Sequence, residues 1–314
     1  MNRAELKKLI LGAVATVPTP FTKSYALDLG VAAELTQWWV EQGLVRGTTV
    51  IKVAAAMGEG PDLSDDEWPR LLKTTVEASG SRGAIVCGLK PKNTLHTIED
   101  ARRAADLGAI GVQIDLPIFH HSNQDDMVRF FSDISDAIDI GIVLYNTWWF
   151  ATGIEPATLV RLKDAEHLVA IKWCVPKDGN YDAMQEFAQI FNVIDNSSDP
   201  VRAHRLGARG FISSLAAVNP SHDLEMWRLL EAKQYELAAA EWSRTEGSLR
   251  DIYDRSTKRS GGYRVLKGLM AVTGRPVGPP RPPTLPMDES ELAELRALVE
   301  SWGWPVTDRI EGVA

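Results

Sequence analysis

The chain has 314 residues, of which 45% are hydrophobic and 24% charged, and its formal net charge is −8 at pH 7. This composition indicates a globular protein with a large core. An acidic balance without a basic block argues against nucleic acid as a partner. No apolar stretch reaches the ~18 residues of a membrane span, so no membrane partner is expected. The two cysteines give no disulfide framework and no metal-ligand spacing, and they fit the reducing cytoplasm.

The N-terminal segment has two interpretations. Residues 1–21 contain lysines, an apolar run and the sequence Ala13-Val14-Ala15, which imitates a signal peptide. Alternatively, residues 9–17 lead into a first buried strand. We favour the strand, because the turn-like sequence Pro18-Thr19-Pro20 follows without a break in the pattern.

Eight short apolar runs recur along the chain and predict buried strands. They are continuous rather than alternating, as is typical of strands covered on both faces. In chain order they are GAVATV, TTVIKVA, GAIVCGL, GVQIDLP, GIVLYN, LVAIKW, FNVIDN and GFISSL.

Longer amphipathic segments lie between these runs and predict helices. One of them ends at Gly43, and another begins with a capping box formed by Ser64 and Glu67. Eight strands that alternate with helices predict an α/β protein of parallel βα units, closed as a (β/α)8 or TIM barrel. An open doubly wound sheet is the alternative, but no G-x-G-x-x-G follows the first strand.

After about residue 221 the pattern changes to helices without intervening strands. A proline-rich segment, RPVGPPRPPTLP, is expected to be extended, and Asp288 is a plausible N-cap of the last helix. We therefore expect a barrel domain at residues 1–222 and a C-terminal helical extension at residues 223–314.

The lysine that ends the sixth run is the first candidate catalytic residue. Functional residues of such barrels collect at the carboxyl ends of the strands, where Lys172 and Tyr145 would be neighbours. Desolvation lowers the pKa of a lysine, so that its amine can form a Schiff base while a phenol moves the protons. Alternatively Lys172 snorkels or pairs with an acid, and Lys52 and Lys90 also lie near strand ends.

A series of short motifs extends over nearly the whole chain: TPF at 19–21, GE at 58–59 followed by LSDDE, YN at 145–146, IK at 171–172, GARGFISS at 207–214, LKGLMAVTG and RPPTLP. In their order and spacing these motifs resemble the dihydrodipicolinate synthase and N-acetylneuraminate lyase superfamily of class I aldolases. The resemblance implies a TIM barrel with a helical C-terminal domain, assembled as a homotetramer or dimer. It also implies a Schiff base on Lys172 and proton transfer by Tyr145, with neither cofactor nor metal.

The resemblance further implies the residues that contact the substrate, a 2-oxo acid such as pyruvate. They are Thr19, Ala56, Met57, Gly58, Asn146, Trp148 and Ile212. The family holds the substrate carboxylate with a G-T-T-G-E-like loop, but this chain has AAMGE at 55–59. At least one charge-assisted hydrogen bond, worth about 1.5–3 kcal/mol, is therefore missing. Backbone N–H groups could still bind the carboxylate.

Two more departures concern proton transfer and the aldehyde partner. The synthase branch has two tyrosines after the fourth strand, one of them in the neighbouring subunit's proton relay. Ile118 and Phe119 stand there in this chain, and the adjacent His120 and His121 are either substitute acid–base groups or an exposed pair. In YNTWWFATG, Ala151 replaces the arginine that grips the aldehyde's carboxylate in the synthase branch.

The same turn carries Trp148, Trp149 and Phe150, which suggest an apolar or aromatic aldehyde. Alternatively, the tryptophans pack a subunit interface or cover the barrel rim. We expect a cytoplasmic Schiff-base lyase that makes or breaks a carbon–carbon or carbon–oxygen bond of a 2-oxo acid. The alternatives are a hydratase-aldolase of arylidene pyruvates and a family member that only binds a ligand.

Overall fold

A computed structural model describes residues 1–117, 121–150 and 152–307, and in it eight strands close into a barrel in chain order. The pairs from the third strand to the eighth are parallel. This confirms the predicted (β/α)8 barrel over the open sheet. The strands are β1 (Gly12–Thr16), β2 (Thr49–Val53), β3 (Ile85–Gly88), β4 (Gly111–Asp115), β5 (Gly141–Tyr145), β6 (Leu168–Trp173), β7 (Asn192–Asp195) and β8 (Gly210–Ser213).

Helices alternate with the strands and then continue without them, which confirms the C-terminal helical extension. In the described residues no helix is long and apolar enough to cross a membrane. The helices are α1 (Arg3–Lys7), α2 (Leu29–Glu41), α3 (Glu67–Ser79), α4 (Thr94–Asp106), α5 (Gln124–Ala137), α6 (Pro156–Arg161), α7 (Pro200–Arg205), α8 (Leu215–Val218), α9 (Pro220–Glu231), α10 (Tyr235–Trp242), α11 (Ser248–Arg259), α12 (Tyr263–Val272) and α13 (Glu289–Ser301).

Local sequence signals account for where the helices begin and end. Gly43 follows α2 with φ of 101°, a left-handed conformation that glycine adopts without strain. The amide of Glu67 donates to the Ser64 hydroxyl at 3.2 Å, and the Ser64 amide donates to the Glu67 carboxylate at 2.9 Å. These two bonds form the expected capping box of α3. Asp288 caps α13 in the same reciprocal way.

The chain divides into two compact units. The first consists of residues 1–14, 44–52 and 80–212, and the second of residues 15–43, 53–79 and the chain from 213 onward. The core of the first unit is aliphatic and includes Ile10, Val50, Val143 and Val169. The expected division at residue 222 into a barrel and a helical domain stays a prediction.

Candidate active site

The carboxyl-terminal ends of β4, β5 and β6 place three functional side chains in one row of the first unit. Asp115 is the register partner of Tyr145, and Tyr145 is the register partner of Lys172. Register partners on parallel strands project to the same face of the sheet. The three side chains therefore meet at the carboxyl ends of their strands, where barrel enzymes carry their chemistry.

Lys172 is 7% exposed, and its Nζ lies 3.5 Å from the centre of the Tyr145 ring. Burial lowers the pKa of Lys172 to about 8, while the nearby Asp115 carboxylate acts in the opposite direction. A lysine with this pKa has a substantial neutral fraction near neutral pH. Its amine can therefore attack a carbonyl carbon.

Tyr145 presents the face of its ring to the amine, since the Lys172 Nζ lies over the ring. An ammonium in this position is attracted by the negative face of the aromatic ring. The Tyr145 hydroxyl accepts a hydrogen bond of 3.4 Å from the side-chain amide of Asn196, which follows β7. The same amide lies 3.5 Å from the sulfur of Cys174. Asn196 thus orients the phenol, and no motif or pattern in the sequence predicted this role.

A second buried lysine, Lys52 on β2, belongs to the same cluster. It is 1% exposed, its Nζ donates to Gln113 Oε1 at 2.8 Å, and its amine is a close neighbour of the Lys172 amine. Burial, followed by the charge of Lys172, lowers the pKa of Lys52 well below its usual value. Burial raises the pKa of Asp115 to about 6, against the charges of both lysines. The sequence indicated Lys52 only as one of three strand-end lysines.

The turn after β5 extends this cluster with aromatic rings. Trp149 contacts the Tyr145 ring edge to face at a centroid distance of 5.4 Å, Trp148 at 5.3 Å and Phe150 at 5.8 Å. Trp149 is 42% exposed and Phe150 is 65% exposed. A continuous series of rings therefore leads from the Lys172 amine to solvent in the isolated chain.

Two other predicted substrate residues of this unit are engaged within the protein. The Asn146 side chain donates to the Cys174 carbonyl at 2.8 Å and accepts from the Ile154 amide at 3.1 Å. The first bond joins the turn after β5 to the end of β6 and the second closes that turn, so Asn146 shapes the cluster. Ile212 lines an apolar cavity inside the barrel together with Lys52. Lys90 lies beyond β3 and is partly buried.

The remaining predicted substrate residues belong to the second unit: Thr19 follows β1, and Ala56, Met57 and Gly58 form a tight loop after β2. The amides of Gly58, Glu59 and Gly60 donate to the carbonyls of Ala55 and Ala56. The loop backbone packs so closely on itself that a side chain at Gly60 has no room. A Cβ there would lie 1.7 Å from the carbonyl oxygen of Ala54.

Neighbouring side chains hold the loop in place. The Thr19 hydroxyl donates to the Gly58 carbonyl, and the Met57 sulfur accepts a 3.5 Å hydrogen bond from the Tyr253 hydroxyl. Ala56 is exposed. Glu59, in the same loop, forms a buried ion pair in which its Oε2 lies 2.9 Å from Lys267 Nζ. Burial raises the pKa of Glu59 to about 7 despite that lysine.

Ile118, Phe119, His120 and Ala151 lie outside the described residues. His121 is exposed and has φ of 49°. Among residues 1–117, 121–150 and 152–307, no group of three His, Cys, Asp or Glu side chains could hold a metal ion.

Comparison with known proteins matches residues 9–302 to the model of the dihydrodipicolinate synthetase family. A 4-hydroxy-tetrahydrodipicolinate synthase from Acidothermus cellulolyticus is 30% identical, over 98% of this chain and 97% of that protein. The enzyme of the same name from Kineococcus radiotolerans is 31% identical over 90% of both chains.

Solved structures agree with the sequence relatives. The dihydrodipicolinate synthase of Bacillus anthracis is 26% identical with a TM-score of 0.80, over 93% of this chain and 99% of that one. The fold is also that of the Aquifex aeolicus enzyme, with a TM-score of 0.83 at 22% identity over 95% of this chain and 100% of that one. The chain therefore belongs to the dihydrodipicolinate synthetase family of pyruvate-using class I aldolases and is a lyase of that family.

Proposed function

We propose that the protein forms a Schiff base between Lys172 and the carbonyl carbon of a 2-oxo acid. The iminium then withdraws electrons while a carbon–carbon bond is made or broken, or while water is lost. The observation that supports this most directly is the environment of the Lys172 amine. It is buried at the end of β6 against the face of Tyr145, and its pKa is lowered to about 8.

Tyr145 is the proposed acid–base group for the substrate oxygen. Carbinolamine formation puts a proton on the former carbonyl oxygen, and dehydration adds a second one before water leaves. The phenol is adjacent to the amine that attacks, and Asn196 holds its oxygen. Thr19, Ala56, Met57, Gly58, Asn146, Trp148 and Ile212 stay predictions as substrate contacts, as do a homo-oligomeric state and a cytoplasmic location.

The aromatic turn favours a more specific substrate class. Trp149 joins the ring of Tyr145 to the partly exposed Phe150, so a substrate ring could stack on this series. Aromatic pairs add about 0.5–1.5 kcal/mol beyond the area that they bury. We therefore propose aromatic aldehydes, or the arylidene pyruvates of a hydratase-aldolase, as the preferred partners. Aspartate semialdehyde is disfavoured, because the sequence has Ala151 in place of the arginine that binds its carboxylate.

Borohydride trapping tests the proposed chemistry. The protein is incubated with pyruvate or an aryl-substituted 2-oxo acid, reduced, digested and analysed by mass spectrometry. A reduced adduct on the peptide that contains Lys172 is expected. Lys90→Ala is the matched control, since it removes another lysine near the carboxyl end of a barrel strand. If a ligand raises the melting temperature without forming an adduct, the protein is a binder and the proposed reaction is wrong.

A further inference from the structure

We propose that Lys52 is the base that takes a proton from the Lys172 nitrogen, so that two adjacent lysines together supply the neutral nucleophile. This inference rests on the proposed Schiff base at Lys172 and adds a residue to it. The amines of Lys52 and Lys172 are buried neighbours in the same cluster, within reach of a hydrogen bond. A proton can therefore pass directly from one amine to the other.

The surroundings of Lys52 disfavour a permanent positive charge on its amine. Its Nζ donates to the neutral side chain of Gln113 at 2.8 Å. It also lines a cavity in the barrel whose seven other lining residues are aliphatic, among them Val50, Val86 and Val143. A buried ammonium with such neighbours lacks solvation, which a neutral amine does not require.

Charge balance in the cluster favours a single proton on the two amines. The charges that act on Lys52 are Lys172 and the Asp115 carboxylate. Lys172 faces the same carboxylate, the Tyr145 ring and Cys174, whose pKa is raised by burial so that the thiol is neutral. One carboxylate balances one ammonium, and a second buried ammonium would be uncompensated. Lys172 then carries the proton in the resting state, and the lone pair of Lys52 accepts it.

The step balances without an outside reagent. Lys172 ammonium gives one proton to Lys52, and the resulting amine attacks the substrate carbonyl carbon. The carbinolamine nitrogen then loses its surplus proton to the former carbonyl oxygen. That oxygen takes a second proton, the one stored on Lys52, through the Tyr145 hydroxyl. Water leaves, an iminium remains on Lys172, and Lys52 is again neutral.

The rate of adduct formation with pyruvate, measured by quenching with borohydride between pH 6 and pH 9, tests the proposal. In Lys52→Met the proton must leave to solvent, so the rate at pH 7 should fall by about tenfold, because a lysine with a pKa of about 8 is only about one-tenth neutral at that pH. The loss should shrink toward pH 9, because Lys172 is then neutral without help. A merely structural defect would slow the reaction equally at every pH. Lys90→Met should behave as the wild type.

Lys52→Gln is the second variant, since its amide can still donate to Gln113. The wild type gives an answer even if neither variant folds. If Lys52 accepts the proton, the wild-type rate of adduct formation should stay within a few-fold from pH 8 down to about pH 6, where Asp115 becomes protonated. A fall of about tenfold per pH unit below 8 would show that Lys172 loses its proton to solvent instead, and would overturn the proposal.

Failure of this inference differs from failure of the proposed function. If Lys172 is trapped and Lys52→Met is as fast as the wild type at every pH, only the role of Lys52 is wrong. If neither lysine is trapped in the wild type, the Schiff base itself is wrong. An adduct on Lys52 would reverse the assignment of nucleophile and base.

Discussion

The change Trp149→Ala tests whether the aromatic turn selects the substrate. Trp149 keeps 42% of its surface exposed while it packs edge to face against the Tyr145 ring. A substrate ring that covers tens of Å² of this exposed face gains about 1–2 kcal/mol, from ~25 cal/mol per Å² plus the preference of paired rings. That energy corresponds to a factor of ~5–30 in kcat/KM.

The assay compares benzaldehyde with acetaldehyde as partners of pyruvate, through the ratio of their kcat/KM values. We expect the wild type to prefer benzaldehyde and Trp149→Ala to lose ~5–30-fold of that preference. Trp38→Ala, which removes an indole from α2, is the control and should keep the ratio. An unchanged ratio in Trp149→Ala, or a wild-type preference for the small aldehyde, would refute the reasoning. A smaller oligomer in sedimentation of Trp149→Ala would instead support packing at a subunit interface.

Two further changes have clear expected outcomes. Tyr145→Phe keeps the ring beside Lys172 but removes the hydroxyl, so single-turnover adduct formation should slow by ~10²–10⁴; an unchanged rate would remove Tyr145 from the mechanism. Lys267→Met leaves Glu59 buried without its ion-pair partner, so urea unfolding should show a loss of about 3–5 kcal/mol. Adding Glu59→Gln should recover part of that loss, and an equal or greater loss in the double variant would show that the pair is not the cause.

The strands could be predicted from the sequence because barrel strands are buried on both faces. LVAIKW coincides with β6, Leu168–Trp173, in which all six residues are buried. The same burial hides which residues point into the barrel, since continuous apolar runs carry no alternation. The run TVIKV therefore gives no sign that Lys52 meets the lysine of β6. Gln113 and Asp115 were missed for the same reason, because GVQID also reads as one buried run.

Helix ends were predictable where a residue type fixes the local backbone, as at Gly43 and at the capping box of Ser64 and Glu67. The helical region after residue 221 was predictable as a whole but not in its parts. It breaks at Lys233, a non-glycine residue with φ of 56°, and again at a π-helical segment, residues 243–247. Tertiary packing determines where such breaks occur, and the helix propensities of single residues do not predict them.

The proposed mechanism depends most directly on which lysine carries the substrate. Peptide mapping of the protein after incubation with pyruvate and borohydride, for the wild type and for Lys172→Ala, tests this directly. The predicted result is one reduced adduct on Lys172 in the wild type and none in the variant, with the variant still folded. A reducible adduct that persists in Lys172→Ala, on Lys52, Lys90 or any other residue, would contradict the account.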